Sequence, residues 1–171
     1  MTRPRLSTWV ATLLGAVCMC AGSAHGTDIG GAISATLTIT GDSQLVDDVT
    51  CTVVAAPCIA IGAPHVTLDL NGFTITGQAD PQTGCSGTGT GGENGIDVNT
   101  QTGVQIRGPG LVKQFRGFGI RLQNSTGGTI MDVTVSTSCF SGIFVSGGSD
   151  HHLEGNVAVR NGHGTNPCGG I

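Results

Sequence analysis

The chain has 171 residues, a length that suits one domain with its own core and is too short to favour two. Thirty glycines, five Phe, one Trp and no Tyr give a composition rich in turns and short strands, which favours an all-β fold. Residues 25–171, which exclude Arg3 and Arg5 of the N-terminal segment, carry five basic and eleven acidic residues. The resulting net charge of −6 argues against a nucleic-acid partner. The same charge repels anionic polysaccharides unless a basic patch or a bridging cation intervenes, whereas neutral glycans meet no such objection.

The N-terminal segment has the organisation of a secretory signal peptide. Arg3 and Arg5 precede an apolar stretch over residues 9–21, and small residues follow at 22–24. The stretch of thirteen residues is shorter than the roughly 20 that span a bilayer. We therefore predict a signal peptide over residues 1–24, no membrane span after its removal, and a secreted, periplasmic or cell-surface location.

Residues 66–77 alternate apolar and polar side chains on both sides of Asn71-Gly72, which predicts two short strands. Taken alone, the pattern suits a hairpin, because Asn-Gly forms type I′ turns. In a stack of repeated units the same pair makes a bend between two strands of one unit, with Asn71 or Gly72 at positive φ. The repeat further along the chain favours the bend.

A Gly-Ile motif recurs at Gly95-Ile96, Gly119-Ile120, Gly142-Ile143 and Gly170-Ile171. Successive motifs are 24, 23 and 28 residues apart. The first three continue as Gly-Ile-x-Val or Gly-Ile-x-Leu, and alternation along a strand turns both aliphatic side chains inward. These inward pairs are Ile96 with Val98, Ile120 with Leu122, and Ile143 with Val145.

Two further positions of the repeat agree between units. Eleven residues after the glycine stand Ile106, Ile130 and Leu153, and seven after it stand Thr102, Thr126 and Ser149. A strand with one apolar face buries it by stacking on similar strands about 4.8 Å apart. The sequence therefore predicts an all-β, right-handed parallel β-helix with about three short strands and about 23–24 residues per coil. A leucine-rich repeat does not fit, because the chain lacks a leucine ladder and a helical segment.

The segment VTLDLNGFTITG, followed by the recurring GI-x-[VL] motif, is similar to the parallel β-helix repeat (PbH1) proteins of bacteria. They form a broad group within the pectate-lyase-like superfamily that includes polysaccharide lyases, glycoside hydrolases, epimerases and NosD-type periplasmic proteins. The resemblance covers about residues 33–171. It implies the fold more strongly than any activity, because the shared residues are those that build coils.

The domain organisation follows from the repeat. Residues 25–171 are expected to form the N-terminal part of a β-helix domain, with insertion loops at 78–94 and 162–169. The chain stops at Ile171, at the second residue of what would be another coil, without a polar capping segment. We therefore expect a C-terminally truncated fragment of a longer protein.

Five cysteines follow the signal peptide, namely Cys51, Cys58, Cys85, Cys139 and Cys168. In an exported protein, disulfides are favoured over metal thiolates. Cys139 and Cys168 lie three and two residues before a Gly-Ile motif, and one coil rise of about 4.8 Å falls within disulfide reach. The spacing predicts a Cys139–Cys168 disulfide and a small loop closed by Cys51 and Cys58. Cys85 is then unpaired within this chain, either as a free thiol or, as the expected truncation favours, with a partner beyond Ile171.

Outward residues of the repeat form three columns. They are Asp97, Arg121 and Phe144; Gln105, Thr129 and His152; and Arg107, Met131 and Glu154. From these columns the candidates for facing a carbohydrate are Asp97, Arg107, Arg121, Phe144, His152 and Glu154. None of these three columns contains two carboxylates, so no catalytic residue is assigned. Asp97 and Arg121 are expected to form a surface ion pair.

A weak metal cluster consists of Asp150, His151, His152 and His163. Neighbouring residues of a strand face opposite ways, so His151 and His152 are poorly placed to bind one copper ion. Asn161 and the following Gly-His-Gly tripeptide have a counterpart in polygalacturonases, but the other residues of that site are missing here.

Three functions remain open from the sequence. The first is binding or processing of a polysaccharide on the lateral face, and the resemblance implies a lyase or a glycoside hydrolase if the protein is an enzyme. No cofactor is evident, and the resemblance implies Ca²⁺ for a lyase. The second is a non-enzymatic cell-surface or adhesive module, and the third is NosD-like handling of copper. The sequence does not indicate an oligomeric state.

Overall fold

The computed structural model describes residues 26–79, Cys85, residues 92–163 and residues 170–171. Within these residues the chain forms strands and connections, without a helix. The strands are β1 (Thr27–Ile33), β2 (Leu37–Ile39), β3 (Ser43–Cys51), β4 (Ile59–Ile61), β5 (Thr67–Asp69), β6 (Thr74–Thr76), β7 (Ile96–Asn99), β8 (Gln105–Lys113), β9 (Ile120–Thr126), β10 (Thr129–Ser136), β11 (Ile143–Ser149), β12 (His152–Glu154) and β13 (Val157–Val159). In this part of the chain no helix is long and apolar enough to cross a membrane.

The strands form two sheets in which neighbouring strands run parallel. The larger sheet has the order β1-β3-β5-β8-β10-β12, with β6 pairing to β3 and β8 and with β13 pairing to β10. The smaller sheet has the order β2-β4-β7-β9-β11. The chain passes repeatedly from one sheet to the other, so that each interior strand pairs with strands from the preceding and following units. The predicted all-β class with parallel strands is confirmed.

Aliphatic side chains lie in register across both sheets. In the smaller sheet one position is occupied in turn by Leu37, Ile59, Ile96, Ile120 and Ile143. In the larger sheet one position is occupied by Leu68, Ile106, Ile130 and Leu153. Most of these side chains are fully buried, and together they form the centre of the hydrophobic core. The predicted inward columns are confirmed, and the core lies between the sheets because each strand turns alternate side chains toward it.

Asn71 and Gly72 form a bend between β5 and β6. Both strands pair in parallel with β3 and β8 and lie in the same sheet. Asn71 has φ of 48° and Gly72 has φ of 85°, and the N–H of Phe73 donates a 2.8 Å hydrogen bond to the carbonyl of Leu70. The turn has the positive φ angles of a type I′ turn but does not reverse the chain into a hairpin. The predicted bend is confirmed.

Left-handed backbone conformations recur at equivalent corners, the positions where the chain changes direction within each repeated unit. One corner is occupied by Thr100, Asn124 and Gly147, and another by Gln114, Thr137 and Arg160. Thr137 has φ of 54°, although a β-branched residue loses about 1–2 kcal/mol in this conformation. The stacking of the units therefore fixes the backbone at these corners, whatever residue the sequence supplies there.

Val145 is more exposed than the other inward residues of the repeat. Ile143 is fully buried, as predicted, but Val145 retains 38% of its accessible surface. Both residues belong to β11, which is an edge strand of the smaller sheet. Val145 is in register with the buried Leu122 and so lies on the predicted inward side, but among the described residues no further strand covers the outer side of β11, which leaves it exposed.

Two disulfides tie the chain together. Cys51 pairs with Cys58, as predicted, with the Cα atoms 5.9 Å apart. Cys139 pairs with Cys85, with the Cα atoms 5.4 Å apart, so the predicted Cys139–Cys168 bond and the unpaired Cys85 are both wrong. Cys85 belongs to the insertion at 78–94, outside the strands, so the spacing of the Gly-Ile repeat does not predict which cysteine it meets. Cys168 and much of both predicted insertion loops lie outside the described residues.

Candidate functional site

The predicted carbohydrate-facing residues fall on two different sheets. Arg107, His152 and Glu154 lie on the larger sheet, in β8 and β12. Asp97, Arg121 and Phe144 lie in register on the smaller sheet, in β7, β9 and β11. Each predicted column is therefore present, but the six side chains do not form one surface.

Asp97 and Arg121 form a two-point ion pair. The Nε and Nη2 atoms of Arg121 donate to Oδ1 and Oδ2 of Asp97 at 2.5 and 2.9 Å, and Asn94 Nδ2 donates to Oδ1 at 3.2 Å. The hydrogen bond to Asp97 raises the pKa of the Arg121 guanidinium above its ordinary value. Because Asp97 is only 8% exposed, the pair is largely buried and its carboxylate is closed to a carbohydrate. The ion pair was predicted, but its burial was not.

Three phenylalanines pack beside this ion pair. The ring of Phe144 stacks on that of Phe118 with centroids 4.3 Å apart, and Phe118 meets Phe140 at 5.4 Å with the rings tilted. Phe118 and Phe140 come just before β9 and β11, at corners that the Gly-Ile motif does not include. These contacts use ring surface that Phe144 would otherwise offer to a ligand.

The outer surface of the larger sheet presents a continuous polar face. One column of this polar face contains Asp28, Gln44, Asp69, Arg107, Met131 and Glu154. A second column contains Thr67, Gln105, Thr129 and His152, and Asp42 lies beside Thr67. These side chains point outward because they alternate with the buried column of Leu68, Ile106, Ile130 and Leu153.

The polar face corrects one expectation drawn from the sequence. The column through Arg107 holds three carboxylates, those of Asp28, Asp69 and Glu154, so the statement that no column holds two is wrong. Asp28, Gln44 and Asp69 precede the first Gly-Ile motif and were missed for that reason. The alternation within residues 66–77 was a usable signal, because it already placed Asp69 on the outward side of its strand.

Hydrogen bonds within the polar face hold several of its side chains. Gln44 Nε2 donates to Asp28 Oδ1 at 3.0 Å, and Arg107 Nη2 donates to Gln105 Oε1. His152 Nε2 lies 3.0 Å from a carboxylate oxygen of Glu154, with both side chains more than 60% exposed. Each carboxylate and amide oxygen can accept more than one hydrogen bond, so the face keeps capacity for a ligand.

An open depression of about 250 Å³ lies in the polar face. Its lining residues are Gly26, Asp42, Ser43, Gln44, Thr67, Asp69 and Arg107. Carboxylate, amide, hydroxyl and guanidinium groups thus meet in one shallow site, the donor and acceptor mixture that recognises hydroxyl groups of a polar ligand. A second cavity, beside the Cys51–Cys58 disulfide, measures only about 10 Å³, the size of a single water molecule.

The predicted metal cluster is not assembled. His151 Nδ1 accepts a 3.2 Å hydrogen bond from the N–H of Gly128, while His152 points away toward Glu154. In the ranges that the structure describes, no three His, Cys, Asp or Glu side chains converge on a possible ion. His151 and His152 therefore take opposite sides of the chain, as their adjacency predicts, and His163 is exposed elsewhere.

Asn161, which precedes the Gly-His-Gly tripeptide, has a structural role. Its Nδ2 donates to the carbonyl of Val135 at 3.0 Å, and its Oδ1 accepts from the N–H of Ser138 at 2.9 Å. The amide thus spans the left-handed corner at Thr137 in the preceding unit. Asn156 does the same at another corner, bonding to the carbonyl of Ile130 at 2.8 Å and the N–H of Val133 at 3.0 Å. Asn156 does so where the register of β10 shifts, between Met131 and Val133.

Replacing Asn161 with alanine is expected to lower the free energy of unfolding by about 2 kcal/mol, because two backbone groups lose their partner. Chemical denaturation measures the loss. Asn161→Asp separates the two bonds, since it keeps the acceptor for Ser138 but sets a carboxylate oxygen against the carbonyl of Val135, and it is expected to cost at least as much as alanine at neutral pH. Equal stability of Asn161→Ala and the unchanged chain contradicts the assigned role.

Comparison with known proteins finds no matching family model, no matching curated protein and no matching solved structure. A functional assignment therefore rests on the geometry of the polar face and of its depression. Their exposed hydrogen-bonding groups repeat from strand to strand over six strands of the larger sheet.

Proposed function

We propose that the chain is a right-handed parallel β-helix of the bacterial PbH1 type whose polar face binds a polysaccharide. The in-register parallel strands support the fold, since equivalent residues such as Ile96, Ile120 and Ile143 are 24 and 23 residues apart. Left-handed corners at the same spacing add to this support. The resemblance of the Gly-Ile repeat to the pectate-lyase-like superfamily is the further reason for choosing a carbohydrate ligand.

The observation that carries the proposal is the column from Asp28 to Glu154. It offers a polar side chain on five of the six strands that it crosses, about 4.8 Å apart from strand to strand, and Met131 on β10 is the exception. A polysaccharide repeats its hydroxyl groups along its length, so an extended ladder of donors and acceptors suits it better than it suits a compact ligand. The depression around Asp69 and Arg107 supplies the concave part where a sugar unit loses most water.

The two disulfides support a location outside the reducing cytosol. Together with the predicted signal peptide over residues 1–24, they are consistent with a secreted, periplasmic or cell-surface protein. A polysaccharide ligand belongs to that environment.

Removing the side chains of Asp69 and Arg107 is expected to weaken polysaccharide binding at least tenfold. Both line the depression, and the double alanine variant deletes its central acceptor and donor together. Affinity electrophoresis on a panel of pectic, alginate and neutral polysaccharides, followed by titration calorimetry on those retained, measures the effect. Asp47→Asn is the control, because Asp47 is exposed and its oxygen bonds only the N–H of Asp48, which asparagine can also do.

The same samples are assayed for unsaturated products and new reducing ends, which separates binding from elimination or hydrolysis. Retention of the unchanged chain with loss in the Asp69 and Arg107 variant supports the proposal. Equal retention of both proteins moves the ligand off the polar face. A folded chain that retains none of the panel overturns the proposed function in favour of a structural module.

A further inference from the structure

The polar face is strongly acidic for a surface that binds carbohydrate. It carries the carboxylates of Asp28, Asp42, Asp69 and Glu154 against the single guanidinium of Arg107. The whole chain is acidic as well, with a formal net charge of −4. Like charges repel across the surface of such a face, so a polyanion approaches it at a cost.

Arg107 does not form a basic patch that could offset this repulsion. It stands in register beside Asp69 on the neighbouring strand, and its Nη2 is already bonded to Gln105. His152 is likewise held against the carboxylate of Glu154. Each cationic or potentially cationic group of the polar face therefore has an acidic or amide neighbour.

A bridging cation would be the other way to hold a polyanion on this surface. Ca²⁺ takes six to eight oxygen ligands, several of them carboxylates on one centre. Asp42 Oδ1 instead accepts a hydrogen bond from the N–H of Thr67, and Asp69 Oδ1 accepts one from the N–H of Asn71, both at 2.8 Å. Across the described part of the chain, no three acidic, His or Cys side chains converge on one point. The carboxylates are thus spread along the face and partly committed to the backbone.

Apart from Met131, the remaining groups of the polar face are neutral donors and acceptors. Gln44 lies between Asp28 and Asp69 in the first column, and Thr67, Gln105 and Thr129 follow one another in the second. The first column crosses six strands, a length of roughly 24 Å at the usual strand spacing. A ligand that uses the whole face is a chain of several sugar units lying across the strands.

Resting on the proposed function, we infer that the ligand of the polar face is an uncharged polysaccharide, bound without a bridging cation. Carboxylates serve such a ligand as acceptors for hydroxyl groups, and charge-assisted hydrogen bonds of this kind are stronger than neutral ones. Affinity then depends on the length of the sugar chain and only weakly on salt.

The test is titration of the full chain with neutral glucan, mannan and xylan oligosaccharides of increasing length, and with polygalacturonate and alginate. Each titration is made with Ca²⁺ and with a chelator, at low and high salt. We expect binding of at least one neutral series, an affinity that rises at least tenfold with length, and no effect of the chelator. Polygalacturonate and alginate are expected to show no binding in either buffer.

A charge-reversed variant provides the matched comparison. Asp28→Lys with Glu154→Lys turns the two ends of the first column basic, and we expect it to bind polygalacturonate in a salt-sensitive way. Asp47→Lys with Asp132→Lys makes the same charge change on exposed positions outside the polar face and is expected not to do so. Thermal melting checks that each variant is folded.

The outcomes separate the two proposals. Calcium-dependent binding of polygalacturonate by the unchanged chain overturns the inference and leaves polysaccharide binding standing. Failure of every neutral and anionic sugar to bind the folded chain overturns the proposed function itself. Equal gains in polygalacturonate binding for both pairs of lysine substitutions show a general charge effect, and this result also overturns the inference.

Discussion

Replacing Cys85 and Cys139 with alanine is expected to lower the free energy of unfolding by about 4 kcal/mol. The disulfide joins residues 54 positions apart, so it closes a long loop in the unfolded chain. Loss of the bond restores the conformational freedom of that loop, and the cost grows with loop length. Cys139 is 2% exposed, and alanine at this position keeps the corner apolar.

The second disulfide is the matched control. Cys51 and Cys58 are only seven positions apart, and their replacement with alanine is expected to cost about 2.5 kcal/mol by the same relation. Denaturant titration of both variants gives the two free energies. Peptide mapping without reduction identifies the partners directly, and a peptide that links Cys139 to Cys168 contradicts the pairing with Cys85.

Glu93→Ala is expected to lower the free energy of unfolding by about 2–3 kcal/mol. Glu93 is 4% exposed and accepts hydrogen bonds from the N–H of Ala55 at 2.8 Å and from Nη2 of Arg116 at 2.9 Å, with Nε of Arg116 on its other oxygen. The variant leaves a backbone donor and a guanidinium without partners. The loss falls below that of a fully buried pair because the Arg116 side chain is 23% exposed.

Two further variants separate the contributions at Glu93. Glu93→Gln keeps an acceptor for Ala55 and loses the charge, so it is expected to cost less than alanine. Adding Arg116→Ala to Glu93→Ala removes the unpaired guanidinium and is expected to recover part of the loss, which a double-mutant cycle measures. A loss in Glu93→Ala no larger than that in Asp47→Asn contradicts the role assigned to the ion pair.

Both predictions concern the attachment of the insertion at 78–94 to the repeated units. Cys85 binds this insertion to Cys139, and Glu93 and Asn94 hold its C-terminal end. Asn94 is fully buried and accepts a 3.0 Å hydrogen bond from the N–H of Phe118 in the next unit. Together these contacts place β7 in register with its neighbours, although 37 residues separate Ile59 from Ile96.

The parts of the fold predicted from sequence are those with local periodicity. The Gly-Ile repeat gave the column from Ile96 to Ile143, and the same spacing gave the outward neighbours Asp97, Arg121 and Phe144. Alternation along a strand decides which side chains face the core, and a regular spacing carries this decision from one unit to the next. The bend at Asn71-Gly72 followed from the same periodicity.

The first units could not be aligned in this way. Leu37 and Ile59 are 22 residues apart, Ile59 and Ile96 are 37 apart, and neither Leu37 nor Ile59 follows a glycine. The extension of the polar face through Asp28, Gln44 and Asp69 was therefore missed, together with its depression. That depression forms only where three consecutive units meet.

The sequence by itself determined the all-β class, the parallel stacking of the later strands and the inward or outward side of each residue in them. These properties follow from alternation and spacing, which are local. Only the tertiary structure decided that Cys139 pairs with Cys85, that Asp97 is buried beneath Arg121, and which carboxylates share the polar face. Those contacts depend on where an insertion rejoins the repeated units and on which units become neighbours. Both are determined by the packing of the whole chain.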